Sequence, residues 1–391
     1  MNTNSGLAES SAKKFPLVLQ VLPSLNGGGV ERGTIEIASA LKAAGHESLV
    51  ASEGGFLTKD LKRIKVEHIT LPLATKNPFK IWQNAEKLAK IITEKGVDII
   101  HARSRAPAWS AYLAAKKTGI KFLTTFHGTY GMGPGKIKRP YNRVMTKSDL
   151  IIAVSDYIAS LIKKDYQIPE QKIRVVHRGV DTDIFDPSKV TRARIIALAK
   201  QWNLPDGATI IMLPCRLSRW KGHHLMLEAL SRIKDREDIY CIFVGSLQGK
   251  ESFRKEIEHF ASSLGLGGKV RLISYCADMP AAYMLADIVV SAATKPEAFG
   301  RTIVEAQAMG KIVIAADEGG ACETIKNGLT GFLFKSKDSE DLADTLEKAL
   351  DMSEREKEVL TQTAVNCAAT DFSTRAMCAK TLKIYEELAK K

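Results

Sequence analysis

No apolar run in this chain approaches the roughly 18 residues that a bilayer-crossing helix needs. Nor does the stretch from Met1 to Ser11 set a basic start before an apolar core, so neither a spanning segment nor a secretory leader is expected and the chain is expected in the cytoplasm. Cysteine is sparse as well. The six (Cys215, Cys241, Cys276, Cys322, Cys367 and Cys378) are scattered without a close pair, which speaks against a zinc or disulfide framework and predicts reduced thiols. Zinc-finger spacing and RNP-like aromatic strands are missing too, so no nucleic-acid partner is expected. Nor is there a spaced G-x-G-x-x-G fingerprint that would assign NAD. Acidic residues are outnumbered, 44 against 57 Lys and Arg, leaving a formal charge of +13. Such an excess attracts nucleic acid, anionic lipid or phosphorylated substrates, and composition does not choose among them.

The 391 residues are too many for one ordinary core and fit two domains. Short apolar runs alternate with helical patterns throughout, which predicts an α/β chain built on parallel strands. The first such unit is strand 16–22, the loop Pro23-Ser24-Leu25-Asn26-Gly27-Gly28-Gly29, and a helix closed by Gly45. A strand, a glycine turn and a helix bring backbone close to a ligand, which singles out Gly28 and Gly29 beside the plainer reading of a tight turn. A strand over 46–51, completed by 65–69, follows, then a helix over 78–95 and a strand ending at His101. Strand 121–126 delivers His127 and Gly128 at its carboxyl end, and strand 149–155 runs into a helix with Ser155 as its cap. After a connecting helix near Thr191, strand 208–214 precedes Cys215-Arg216-Leu217-Ser218-Arg219-Trp220-Lys221-Gly222. Arg216 and Lys221 in that loop suit a diphosphate.

The densest stretch lies further on. The apolar run Asp287-Ile288-Val289-Val290-Ser291-Ala292 reads as a buried parallel strand, followed by Thr294-Lys295-Pro296-Glu297-Ala298-Phe299-Gly300 and a helix that carries Glu305 and ends at Gly310. Eight residues separate the two carboxylates, a spacing that can turn both towards a ligand at the carboxyl edge of a sheet. The free N–H groups at the helix start favour a phosphate or a polarised hydroxyl. Read alone, two Glu residues around a strand–helix junction also fit a solvated helix face. Beyond Gly310, the glycines of Asp317-Glu318-Gly319-Gly320 suggest a second phosphate-side turn, and Glu323 reads as a cap or brace of that region rather than a catalytic residue.

This stretch resembles the signature of retaining family 4 (glycosyl transferases group 1) glycosyltransferases of the GT-B type, among them bacterial lipopolysaccharide and other envelope transferases. The resemblance covers about 15–385. It implies two Rossmann-like α/β/α domains facing across a deep cleft, with a C-terminal helix crossing back to the first. It also implies that Glu297 contacts the transferred sugar, that Ala298, Phe299 and Gly300 offer backbone to sugar hydroxyls and phosphate, and that Glu305 binds ribose. Arg216 and Lys221 take the pyrophosphate, the Gly28–Gly29 loop lies beside it, and His127 lies against the sugar; His127, Arg216, Lys221 and Glu297 are the catalytic set. The family commonly has Gly where Cys215 stands. A UDP- or GDP-sugar donor, retention of configuration and no required cofactor or metal are implied, the last in keeping with the lack of an Asp-x-Asp in a suitable loop.

The expected division is a flexible leader over 1–14, an acceptor-side domain over 15–187, a donor-binding domain over 188–372 and the returning helix over 373–391. Between Tyr130 and Lys147, Lys136, Lys138, Arg139, Arg143 and Lys147 come without one acid. Together with Arg105 they form a candidate patch for a glycan or glycolipid acceptor or for an anionic membrane surface, where each cation is worth about 1 kcal/mol; the plain alternative is a solvated basic loop. A lipopolysaccharide core is the acceptor the charge favours, with the protein peripheral at the inner face of the cytoplasmic membrane. Two other readings stay open: a GT-B-fold sugar-nucleotide epimerase, which would need no acceptor, and a non-catalytic nucleotide- or polyanion-binding protein.

Overall fold

Strands buried on both faces need continuous apolar sequence, and the runs identified above form them. The computed structural model describes residues 15–130, 138–247 and 249–390. Its first sheet comprises β1 (Val18–Val21), β2 (Ser48–Ser52), β3 (Glu67–Thr70), β4 (Ile99–Ala102), β5 (Lys121–Phe126), β6 (Leu150–Ala153) and β7 (Ile173–Val175). The order is β3-β2-β1-β4-β5-β6-β7, and β3 through β5 run parallel. The second sheet comprises β8 (Thr209–Pro214), β9 (Ile239–Val244), β10 (Val270–Ile273), β11 (Ile288–Ser291), β12 (Ile312–Ala316) and β13 (Phe332–Phe334). Its order is β10-β9-β8-β11-β12-β13, parallel throughout. Both are doubly wound Rossmann-like sheets, and each reverses its strand order once, at β1/β4 and at β8/β11.

Packing divides the chain into two units. One holds the residues up to Thr125 with 140–151 and Thr381 onward; the other holds Phe126–Arg139 and Ile152–Lys380. The C-terminal helix Thr374–Lys390 thus ends in the unit of the first sheet, where fully buried Tyr385 bonds His101 Nδ1 at 2.8 Å. His101 Nε2 meets Thr125 Oγ1 at 2.7 Å, and burial, aided by Arg103, lowers its pKa well below the usual value. His101 is therefore a neutral core residue rather than part of an acceptor surface.

One expected strand is two in the structure. The segment 65–69 does not complete 46–51: β2 and β3 are separate parallel neighbours joined by the helix Thr58–Arg63. Leu57, Leu61 and Ile64 fall on one helical face and pack on Leu25, Ala38 and Val50, so burial of that face decides the local structure. The Pro78–Lys95 helix and the capping of Asp156–Tyr166 by Ser155, whose Oγ accepts from Ile158 N–H at 3.1 Å, match the sequence reading. All six cysteines are free.

Candidate active site

In a doubly wound sheet the loops at the strand-order reversal part company and leave a crevice at the carboxyl edge. In the second sheet those are the loops after β8 and β11, the two that carry Arg216/Lys221 and Glu297. A 3₁₀ turn, Arg219–Lys221, ends at Gly222 with φ +80°, and a Cβ there would lie 1.7 Å from the Ala292 carbonyl oxygen. Only glycine lets the two loops approach so closely. Thr294 N–H then donates to the Trp220 carbonyl at 2.8 Å, and Lys221 Nζ, 4.5 Å above the Trp220 ring, reaches Glu297 Oε1 at 2.6 Å. Ser291 Oγ donates to the same oxygen at 3.3 Å. The Lys221 and Glu297 side chains are only 16% and 13% exposed, so the pair is largely desolvated. Arg216 is exposed, while its neighbour Arg219 is held by Glu256.

The Glu297 loop is braced from behind. Gly320 N–H donates to the Glu297 carbonyl at 2.7 Å, and a Cβ on Gly320 would stand 2.3 Å from the Ala298 oxygen. The Gly319–Gly320 pair, expected as a phosphate-side turn, thus serves the backbone of 296–299. Phe299 is buried, and Gly300, at φ +87°, opens the helix Arg301–Ala308. On that helix Glu305 accepts from Tyr283 Oη at 2.9 Å and from Arg301 Nη2 at 3.1 Å. Burial, with Glu305 beside it, holds the Tyr283 phenol well above its usual pKa, so the hydroxyl stays a donor and fixes the carboxylate. Cys215 Sγ lies 3.5 Å from His223 Nε2. Burial pushes the thiol up to about 12 and the imidazole down to about 4, so both are neutral near pH 7.

His127 follows β5, and its Nδ1 sits 2.9 Å from Nη1 of Arg178, a residue only 7% exposed. Nearby, Glu323 accepts from the N–H groups of Asp156 at 2.7 Å and Tyr157 at 2.6 Å, at the start of the Asp156–Tyr166 helix, and from His177 Nε2 at 2.9 Å. Glu323 is therefore the brace the sequence suggested. Asp156, His177 and Glu323 form the one metal-ligand-type cluster among the described residues, their ligand atoms within 4.8 Å of one another. Both Glu323 oxygens are already committed to these donors, which makes it a helix cap. Burial would raise the Glu323 carboxyl, but the His177 ring and the two N–H groups outweigh it and hold the pKa below the usual glutamate range. A depressed carboxylate stabilises the fold above its unfolded pKa and loses that contribution as pH falls through the folded value. Glu323→Gln is expected to cost about 2 kcal/mol at pH 7, and the gap between variant and parent should close below about pH 4, as checked by urea unfolding across pH.

The remaining expected residues belong to other elements of the chain. Gly28, at φ +137°, caps the helix that begins at Gly29, after β1 and at the reversal point of the first sheet. Arg105 opens the helix Arg105–Thr118 and bonds Asn142 Oδ1 at 3.0 Å, so it is tied down within its own unit and is not an open patch residue. Arg143 is exposed, Lys138 and Arg139 lie on the short helix Lys138–Asn142, and Lys136 falls outside the described residues. An Asp-x-Asp does occur at 181–183, where Asp181 Oδ1 accepts from Asp183 N–H at 2.9 Å in a local turn. Arg178, Tyr283 and Ser291 were not singled out from sequence. The signal available for Arg178 was a cation just before Gly179 at the end of an apolar run; Tyr283 and Ser291 read as ordinary helix and strand residues.

Two family models match the chain: Glycosyltransferase Family 4 over residues 27–184 and Glycosyl transferases group 1 over 195–364. A solved glycosyltransferase from Rickettsia africae ESF-5 is 41% identical, covers 97% of this chain and 100% of its own, and superposes with a TM-score of 0.90. Anabaena HepE, solved with UDP-glucose, is 23% identical with 96% and 100% coverage and a TM-score of 0.81, a likeness that carries the fold alone. Spore coat protein SA of Bacillus subtilis strain 168 is 26% identical over 97% of this chain and 99% of its own. With the Arg216/Lys221 and Glu297 loops at the strand-order reversal of the second sheet, these matches place the chain in the glycosyltransferases of family 4, with the GT-B fold.

Proposed function

We propose that this glycosyltransferase moves a sugar, with retention of configuration and without a metal, from a nucleotide diphosphate sugar to a glycolipid hydroxyl. The Lys221–Glu297 pair at the β8/β11 reversal carries the reading. A carboxylate and an ammonium held 2.6 Å apart and mostly out of water are placed to divide their attention once donor arrives, Glu297 turning to the sugar hydroxyls and Lys221 to the diphosphate. In the transfer the bond from the anomeric carbon to the diphosphate oxygen breaks, the acceptor oxygen bonds to that carbon, and the acceptor proton leaves with the diphosphate. Negative charge grows on the leaving group, where Arg216, Lys221 and the N–H groups opening Arg301–Ala308 offset it. Glu305, oriented by Tyr283 and Arg301, is the ribose ligand, and His127 supports the sugar. The carboxylates are not a glycosidase acid and nucleophile, since Glu305 is taken up by ribose.

The Anabaena protein that shares the fold was solved with UDP-glucose, which makes a uridine donor the first to test, and the +13 charge supports an anionic envelope acceptor such as a lipopolysaccharide core, met at the inner membrane face. The test is binding and slow hydrolysis of UDP-, GDP- and ADP-sugars by purified protein in EDTA. One UDP-sugar bound and slowly hydrolysed is the expected result. Donor hydrolysis that appears only with added divalent ion would overturn the metal-free reading, and no donor binding under any condition would overturn the transferase site.

A further inference from the structure

Large aromatic side chains seldom stand in water without a partner, and a helix start seldom collects cations, because its N–H groups already present positive charge. The first turns of Pro78–Lys95 do both. Phe79 and Trp82 are 63% and 54% exposed, with rings stacked at 6.1 Å. Lys76 just before the helix, Lys80 in its first turn and Lys87 two turns on are all exposed, and the first turn holds no acid. Asn77 alone satisfies the helix start, accepting from Phe79 and Lys80 N–H at 2.9 and 3.2 Å. The first acid along the helix, Glu86, is taken by Lys117. Phe56, 60% exposed, lies in the loop after β2. The loops after β1, β2 and β3 are stitched together: Leu25 N–H donates to the Gly54 carbonyl at 2.8 Å, Leu71 N–H to the Ser52 carbonyl at 2.9 Å, and Ala74 N–H to Glu53 Oε1 at 3.4 Å. Because β1, β2 and β3 run parallel, all three loops share the carboxyl edge that also carries the Gly28–Gly29 turn.

We propose that Phe56, Phe79 and Trp82, with Lys76, Lys80 and Lys87, form the surface by which this protein docks on an anionic lipid leaflet. The proposal rests on the reading that the acceptor is lipid-linked, and it moves the membrane contact from the 130–147 segment to this edge. Aromatic rings enter the headgroup boundary while the lysines meet anionic lipid, a division of labour that neither a neutral bilayer nor a purely polar partner would use. The edge that receives the lipid is then the edge that holds the glycine loop.

The test is co-sedimentation of the full chain with vesicles of phosphatidylcholine alone and with a third of phosphatidylglycerol. Binding to the anionic vesicles only is expected. Phe79→Ser with Trp82→Ser should weaken it at least tenfold, and Lys76→Gln and Lys80→Gln about fivefold each, the equivalent of about 1 kcal/mol per lysine. The variants should keep the parent's thermal unfolding and its donor hydrolysis in solution. Equal binding to both vesicle types, or binding indifferent to Phe79 and Trp82, would overturn the proposal, as would a dimer that dissociates on those substitutions. Vesicle binding is read without turnover, so a chain that docks but hydrolyses no donor convicts the transferase reading and leaves this surface standing.

Discussion

Lys221→Ala is expected to lower kcat/KM by about 10²–10³-fold, the scale of removing one preorganised charge from the site where charge develops. Glu297→Gln should fall in the same range. The double variant should lose little more than the worse single one, since each residue holds the other in place and neither works alone. The reason lies in the pair's burial: with Lys221 gone, Glu297 keeps the Ser291 hydroxyl but loses its cation, and a mostly desolvated carboxylate facing an incoming diphosphate repels it. Steady-state kinetics on variants whose circular dichroism matches the parent provide the measurement. Turnover at the parent's level in both single variants would remove the pair from the reaction, and losses that multiply in the double variant would show that the two act independently.

How much of this was legible in the chain depends on the distance over which each contact is made. Apolar runs such as Ile288-Val289-Val290 report a buried strand by themselves, and Gly222 beside Lys221 reports a close approach without saying to what. The approach turns out to be to Ala292, 70 positions on. Where several readings competed locally, packing decided: 58–63 forms a helix because Leu57, Leu61 and Ile64 share a face, and the sequence reading passed over it as part of one interrupted strand. Arg105 looked like a free cation until the fold brought Asn142 to it. Glu323 is the counterexample. Its bracing role was read from a glycine-flanked position, but its partners, 166 and 167 positions away, could be found only in three dimensions.

Arg178 illustrates the same limit and leads to the second large effect. A guanidinium only donates, so the 2.9 Å contact with His127 requires Nδ1 to accept and the ring proton to sit on Nε2. In the proposed reaction His127 then offers a sugar hydroxyl a donor, and its ring plane is fixed by a buried arginine. Arg178→Met, which preserves bulk and removes the donor, is expected to lower kcat by about 10²-fold while the KM for donor changes little, because displacement of a positioned group by about 1 Å costs that much. Arg178→Lys should recover part of the loss, since an ammonium still donates to Nδ1. Long-range ¹H–¹⁵N spectra of His127 separate positioning from mere packing: the parent should show the Nε2–H tautomer and Arg178→Met a mixture with Nδ1–H. An Nδ1–H ring in the parent would overturn the assignment outright. A tautomer that follows Arg178 while kcat stays unchanged would confine the pair to the architecture of the β5 edge and withdraw His127 from the chemistry.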